Sequence, residues 1–392
     1  GSGARAILGR AATAGAEEEG VTAAGDWRDF RAKLVQKERS DSNSSGEGVD
    51  TGGWAHSTPL IEQGSLLLSQ PADHFALNQQ YFHKAVILII NHSEEGDVGV
   101  ILNRPTALTT QDLGGDDLGL ANLDRIRNWK IWFGGDCNGL NTQPKPGRPR
   151  ASLCLHTMER FAKQSQEVIP GIFFMSLQEA VDLVESGVVE RDDFLLLVGY
   201  CGWGAGQLQG ELNRDEAWTM AAADRRALFL GELRKAQADL RERLAAAIEE
   251  RRAQGSTVPL DATDAGDGLV EWRRLYEALG PTFRSRLEES AGDTHSDEML
   301  RLWINRCLVG QPRARQAGAD VGGSGADVAK TEEVSAGQIF WASPTAWLLG
   351  KPAERPSFEL LQFRPAQYLH RAVVVVLEAG GSEQPSALAL LN

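Results

Sequence analysis

The stretch "DDFLLLVGYCGWGAGQL", residues 192–208, restricts the fold more than any other part of the chain. An apolar run of strand length, Phe194 to Val198, passes directly into Gly199, Gly202, Gly204 and Gly206, with Cys201 and Trp203 among them. A buried strand that meets so much glycine at once makes one of two things. It makes a tight turn that presents a nucleophile, or a backbone corner that side chains would obstruct. The nucleophile would be Cys201. However, Trp203 stands where a G-x-nucleophile-x-G elbow has its second glycine, and no acid and base follow at an assignable spacing. The residues favour the corner. Gly202, Gly204 and Gly206 allow positive φ and close backbone approach, Trp203 plugs the edge of a core, and Gln207 bonds exposed backbone. No residue is assigned as catalytic.

The flanking sequence reads as a compact α+β domain. "GSLLLSQP" (64–71), "KAVILII" (84–90), "GDVGVILNRP" (96–105), "KIWFGGD" (130–136), "ASLCLHT" (151–157) and "GIFFMS" (171–176) have strand length and composition. The second is apolar on both faces and therefore central. "LQEAVDLVESG" places Leu177, Ala180, Val181 and Val184 on one helical face, with Gly187 at its C-terminal end.

Five segments follow from composition. Residues 1–58 form a flexible N-terminal region with one helical island, "DWRDFRAKLVQKE", whose Trp27, Phe30, Leu34 and Val35 share a face suited to docking on a larger body. Residues 59–230 are the α/β domain. Residues 231–310 carry a charged helix, striped by Leu233, Leu240, Leu244 and Ile248, and then two amphipathic helices. Residues 311–336 are a linker. In residues 337–392 the pattern of the domain's start returns. "GQIFWASP" repeats the Gly and Pro spacing of "GSLLLSQP", and "YLHRAVVVVLEAGGSEQPSALALLN" follows "YFHKAVILIINHSEEGDVGVILN". Two echoes in the same order point to a partial second copy, whose apolar strands must pair with the first domain, another chain or a continuation of this one.

Charge narrows the partners. The chain has a formal charge of −14, and between Leu60 and Met220 it holds 12 Lys or Arg against 21 Asp or Glu. Phosphate tracking needs the opposite balance, so nucleic acid is disfavoured. Cys137, Cys154, Cys201 and Cys307 form no CxxC pair and fit neither a disulfide frame nor a zinc site. No apolar run reaches the roughly 18 residues of a membrane span, which leaves peripheral membrane contact through a complex. The opening "GSGARAILGRAATAG" carries two Arg and no acid, as the tail of an organellar transit peptide does or as a disordered start can.

The remaining candidates for ligand contact are polar or glycine positions at strand ends. Gly134 and Gly135 offer adjacent amides that could cradle an anion, although double glycines after strands are usually bends. Asn103 and Arg104 precede Pro105, with Asn103 capping a turn and Arg104 placed to pair with an acid or face a ligand. His83, His92 and His156 lie on separate elements without metal-ligand spacing. The candidate anion contacts are therefore Asn103, Arg104, Gly134, Gly135 and His156, with no cofactor and no metal.

The order "GSLLLSQP … AVILIINH … VGVILNRP … FGGD … LHT … GYCGWGAGQLQGEL … W", from Gly64 to Phe229, resembles the AlgH/YqgE family of bacteria and plastids. "WRRLYEALG" also resembles the C-terminal helix of plastid members. The resemblance implies an α+β fold built on a strongly bent mixed sheet that approaches a pseudo-barrel, with flanking helices. It supplies no activity. Asp136 departs from the Pro usual after the double glycine, and Cys201 replaces a small residue. Together these features lead to the expectation of a non-enzymatic chloroplast protein, an acidic binding or assembly module whose partners are proteins. The alternatives are a small-ligand or anion-binding enzyme and a transcriptional regulator. The family's label suggests the latter, yet no basic helix-turn-helix here supports it.

Overall fold

The computed structural model describes residues 27–41, 53–71, 79–113, 118–120, 128–142, 148–214, 217–228, 230–231, 268–289 and 294–308, the strands 339–341, 373–378 and 387–391, and Phe75, Ile126 and Glu242. The charged-helix stripe and the first fifteen residues lie outside them. Contacts divide the chain into two units. One is residues 1–73 with 81–311, and the other is residues 74–80 with 312–392.

The larger unit holds two six-stranded sheets. In chain order its strands are β1 (Ala55–Ser57), β2 (Leu66–Ser69), β3 (Val86–Ser93), β4 (Gly96–Ile101), β5 (Pro105–Thr109), β6 (Lys130–Phe133), β7 (Ser152–His156), β8 (Gln166–Ile169), β9 (Ile172–Met175), β10 (Leu195–Val198), β11 (Cys201–Gly204) and β12 (Trp218–Ala223). The first sheet runs β1-β12-β2-β3-β4-β11 and is antiparallel throughout. The second runs β5-β6-β10-β7-β9-β8, with β6 and β10 its parallel pair. The architecture is thus mixed α and β, with two open sheets flanked by helices.

The period-2 pattern explains the layering. Leu66, Leu68, Leu88, Val98 and Val100 of the first sheet share a core with Trp132, Leu153, Leu155, Phe174, Leu195 and Leu197 of the second. Alternate residues of the second sheet, Ile131, Cys154, Leu196 and Val198, pack instead against Leu177, Ala180 and Val181 of α2 (Leu177–Glu185). Each such side chain contributes roughly 1.5–3 kcal/mol through burial. A capping box fixes the start of α2, with Ser176 accepting from the Glu179 amide and the Glu179 carboxylate accepting from Ser176. Gly187, at φ +73°, releases the chain at the other end.

The chain changes sheet at two places. Residues 102–104 lead from β4 to β5, and Gly199 and Tyr200 lead from β10 to β11. The glycine-rich stretch is therefore a passage between sheets. Gly199 takes φ +85°, and a Cβ there would overlap the Gly135 carbonyl oxygen.

Among the described residues the helices besides α2 are α1 (Trp27–Asp41), α3 (Gln207–Leu212), α4 (Leu269–Ala278), α5 (Pro281–Glu289) and α6 (Thr294–Cys307). The helices after the sheets are integral to the core. Trp272 of α4 donates from Nε1 to the Ser69 carbonyl at 2.9 Å, and Tyr276 Oη lies 3.2 Å from Thr219 Oγ1. Trp303 of α6 packs against Tyr81 and Phe133, and Asp297 lies 2.9 Å from His83 Nε2 and 2.6 Å from Lys84 Nζ.

Helix α1 docks by a face other than the apolar one expected. Arg28 and Ala32 are buried, whereas Trp27, Phe30 and Leu34 are 50%, 63% and 46% exposed. The reason is electrostatic. The Arg28 guanidinium donates to the carbonyls of Gln63 at 2.9 Å and Gly64 at 2.7 Å, and small Ala32 lets the helix approach. Gly64 has φ +86°, and a side chain there would collide with Arg28.

The smaller unit contains an antiparallel sheet in the order β13-β14-β15, from Ile339–Trp341, Val373–Glu378 and Ala387–Leu391. Its pairings include Ile339 with Val375 and Val374 with Leu390, and the β14–β15 register shifts between Val376 and Glu378.

Candidate functional site

The double glycine of "FGGD" meets the passage at Gly199 backbone to backbone. The Gly134 amide donates to the Val198 carbonyl at 2.9 Å, and its carbonyl accepts from the Ile101 amide at 2.9 Å. Cβ atoms on Gly134 and Gly135 would overlap the main chain of Gly199 and Tyr200. The Gly134 amide is thus taken up by main chain, and the close approach of backbone to backbone is what requires glycine at both positions. Cys201 is 1% exposed and points its Sγ at the Gly134 carbonyl, 3.7 Å away. Burial, then the Asp136 carboxylate, push its thiol well above the usual value, and the same two causes bring Cys137 up to about 11. A thiol held protonated is a poor nucleophile.

Asn103 and Arg104 sit beside this joint, fully buried. Asn103 Oδ1 accepts from the Val86 amide at 2.8 Å, and its Nδ2 donates to the carbonyls of Lys84 at 2.9 Å and Gly268 at 2.7 Å. It thereby ties the start of α4 to β3. Arg104 donates to its neighbour's carbonyl, Asn103, at 2.9 Å and to the carbonyl of His83. Both side chains act inward, on main chain.

His156 does not join them. The joint lies at the Val198 end of β10, whereas His156 follows Leu155, which pairs with Leu195 at the opposite end. The separation is about four residues, or ~13 Å of strand. His156 lies between Phe173 and Phe194, with Nε2 2.8 Å from Ser165 Oγ and Nδ1 accepting from the Met158 amide at 3.2 Å. Both ring nitrogens are engaged.

The tryptophan of the motif is held by a residue that pattern reading missed. Glu211 Oε2 accepts from Trp203 Nε1 at 3.1 Å and from Trp218 Nε1 at 2.9 Å, while Oε1 accepts from Gln207 Nε2 at 3.0 Å. Gln207 Oε1 in turn accepts from the Gly204 amide at 3.1 Å. One carboxylate thus pins β11, α3 and β12 together. Its signal in the sequence is the four-residue step from Gln207, which places both on one face of α3. Across the neighbouring strands Trp203 is paired with Asp97, and Asp97 with His92. Asp97 is buried, and its Oδ1 lies 2.5 Å from Nδ1 of the half-exposed His92.

A solvent-facing groove was also invisible to local motifs. A groove of about 730 Å³ runs between α1 and the body. Arg28, Asp29, Lys33 and Gln36 form one wall, and Trp54, Pro170, Asp224, Arg225 and Arg226 form the other. A second cavity of about 340 Å³ lies along Arg150, Phe174, Gly199 and Tyr200. Among the described residues, no helix is long and apolar enough to cross a membrane.

An AlgH-like family model matches residues 67–248. A UPF0301 protein of Xanthomonas campestris pv. campestris (strain B100) is 31% identical over 173 residues, which cover 44% of this chain and 82% of that protein. A UPF0301 protein of Xanthomonas axonopodis pv. citri matches to the same extent. Among solved structures, the AlgH protein from Pseudomonas aeruginosa is 25% identical, with 48% of this chain and 92% of that chain covered at a TM-score of 0.33. Protein DIP2367 from Corynebacterium diphtheriae is 18% identical, with 42% and 78% covered at 0.31. The 31% identity across most of the length of its bacterial relatives, together with the family-model match, places the chain in the AlgH-like family.

Proposed function

We propose that this protein is a non-catalytic binding or assembly module that works within a larger complex of a plastid. The observation that carries the reading is α1. Its polar and small residues hold it to the body while Trp27, Phe30 and Leu34 face outward at i, i+3 and i+7. A helix clamped in that sense presents a preformed apolar stripe, the geometry of helix-in-groove recognition. Covering the exposed remainder of these three side chains supplies roughly 2–3 kcal/mol each at ~25 cal/mol per Å². The groups around the joint support the reading, because their hydrogen bonds are made within the chain.

The smaller unit supports it independently, as a second copy of β2–β4. On alignment of the two echoes, the pairs Ile339–Val375, Phe340–Val374 and Trp341–Val373 fall on Leu66–Leu88, Leu67–Ile87 and Leu68–Val86. The shift between Val376 and Glu378 falls on the one between Ile89 and Asn91. In the first copy the same three strands are flanked by β12 and β11. Among the described residues no strand flanks β13 or β15 on the outer side, and a second copy with that arrangement would offer both edges for strand addition.

The test is sedimentation of extracts from the producing organism. The wild-type chain is expected to travel with a large assembly, and the variant Trp27→Ser, Phe30→Ser, Leu34→Ser at the position of the free chain with unchanged circular dichroism. Wild-type protein found only at the free position, or a variant that stays in the assembly, refutes the role of the stripe.

A further inference from the structure

We propose that the groove between α1 and the body binds a phosphate-bearing small molecule of about nucleotide size, a role separate from the outward stripe of the same helix. Three solvent-facing cations line it, Lys33, Arg225 and Arg226, against the two acids Asp29 and Asp224, while the buried Arg28 at its floor is held by the Gln63 and Gly64 carbonyls and by Glu62. Both acids are engaged by the protein. Asp29 Oδ1 accepts from Trp54 Nε1 at 2.8 Å, and Asp224 accepts from the Ala227 amide at 3.0 Å and from Arg226 Nε at 3.1 Å. The Arg226 bond is made by Nε, and the side chain is 67% exposed. Arg225 pairs with Glu159 of the adjoining turn at 3.5 Å, but the two side chains are 49% and 68% exposed. An ion pair so open to water holds its partner weakly and is replaced readily by a multiply charged anion.

The walls are specified by the sequence. The Asp224 carboxylate occupies the place of a Cβ on Gly53, and the Arg225 side chain lies where a Cβ on Gly171 would be. Gly171 also takes φ +78°, so this turn of the β8–β9 hairpin favours glycine. The groove therefore keeps Arg225 and Arg226 on one wall and Lys33 on the other. Its volume of about 730 Å³ far exceeds one phosphate and lies in the range of pockets for cofactor-sized ligands. Trp54, Ile169 and Pro170 supply the apolar surface that the uncharged part of such a ligand would cover.

Isothermal titration of the full chain with pyrophosphate, ATP and adenosine tests this. ATP and pyrophosphate are expected to bind and adenosine to be silent, with affinity falling as salt rises. The double variant Arg225→Ala, Arg226→Ala should weaken binding at least tenfold, and Lys33→Ala several-fold. Both arginines are half-exposed or more, so the thermal midpoint should stay at the wild-type value. Tighter binding of ATP than of pyrophosphate supports the full proposal, and equal binding narrows the ligand to its phosphates. Absence of heat with either anion in the wild type, or a folded double variant that binds as tightly, overturns it.

Discussion

Replacing Glu211 by Ala tests the reading of the family's tryptophan motif most directly. The change removes one carboxylate that accepts from two buried indoles, Trp203 at 3.1 Å and Trp218 at 2.9 Å, and from Gln207 at 3.0 Å. A buried donor left without an acceptor costs about 1–3 kcal/mol. Glu211 is only half-buried, so water can enter beside it and the lower half of that range applies to each indole. The expected loss is therefore ~2–4 kcal/mol, or a fall on the order of 5–10 °C in thermal midpoint for a unit of this size. Glu211→Gln keeps one carbonyl oxygen and should lose about half as much. Differential scanning calorimetry gives the midpoint, and the near-ultraviolet circular dichroism of the tryptophans reports whether β11 and β12 still hold α3. A Glu211→Ala protein that melts within ~1 °C of wild type would mean that the carboxylate is dispensable to the fold. The motif would then have to be kept for contact with something outside the chain.

Three further outcomes are expected. Gly199→Ala forces a Cβ against the Gly135 carbonyl at φ +85° and should cost more than ~3 kcal/mol. Gly206→Ala, at φ +68° with open space around it, should cost only ~1 kcal/mol, and equal midpoints for the two would sink the account of the joint. At pH 8 in the native state Cys154 and Cys201 should resist a thiol reagent and Cys137, raised to about 11, should react on the order of a hundredfold more slowly than a free thiol. Rapid native labelling of all three would contradict their burial. Burial alone would raise the Asp297 carboxyl, but the hydrogen bonds from His83 and Lys84 and their charge outweigh it and hold it below its ordinary value. The stability it contributes is present above the unfolded value of ~4 and is lost as pH falls through the lower folded value. The wild-type midpoint should thus fall more steeply than that of Asp297→Asn below about pH 4. Parallel curves would show that the cluster does not hold α6.

The strands were legible because alternation and β-branched runs report burial on a pleated surface. "KAVILII" is central in the structure, between β2 and β4. What alternation does not encode is the sheet to which a strand belongs. β10 and β11 are two residues apart in the chain yet lie in different sheets. The apolar stripe of α1 was legible as a stripe, but its direction was decided by one guanidinium on two carbonyls 35 and 36 residues away. Asn103 likewise reads as a turn residue, and only the fold brings the Gly268 carbonyl, 165 positions later, within 2.7 Å. The groove was illegible for the same reason, since its walls come from residues 28–36, 53–54, 169–170 and 223–226.

Three motifs that look separate in the chain turn out to serve one joint. Two sheets packed face to face force the backbone to cross from one to the other, and each crossing strands amides and carbonyls that must find partners away from water. Here the crossings at 102–104 and 199–200 satisfy each other through the double glycine: Ile101 donates to Gly134, Gly134 to Val198, and Phe133 to Arg104. "NRP", "FGGD" and "GYCG" are then three strands of one knot of main chain, and their glycines are required by proximity between backbones. Substitutions in the knot should therefore damage stability and any binding together. Substitutions at Trp27, Phe30 and Leu34, or at Arg225 and Arg226, should remove an interaction and leave the fold intact. That separation is the outcome that the proposed role of the surfaces around α1 requires.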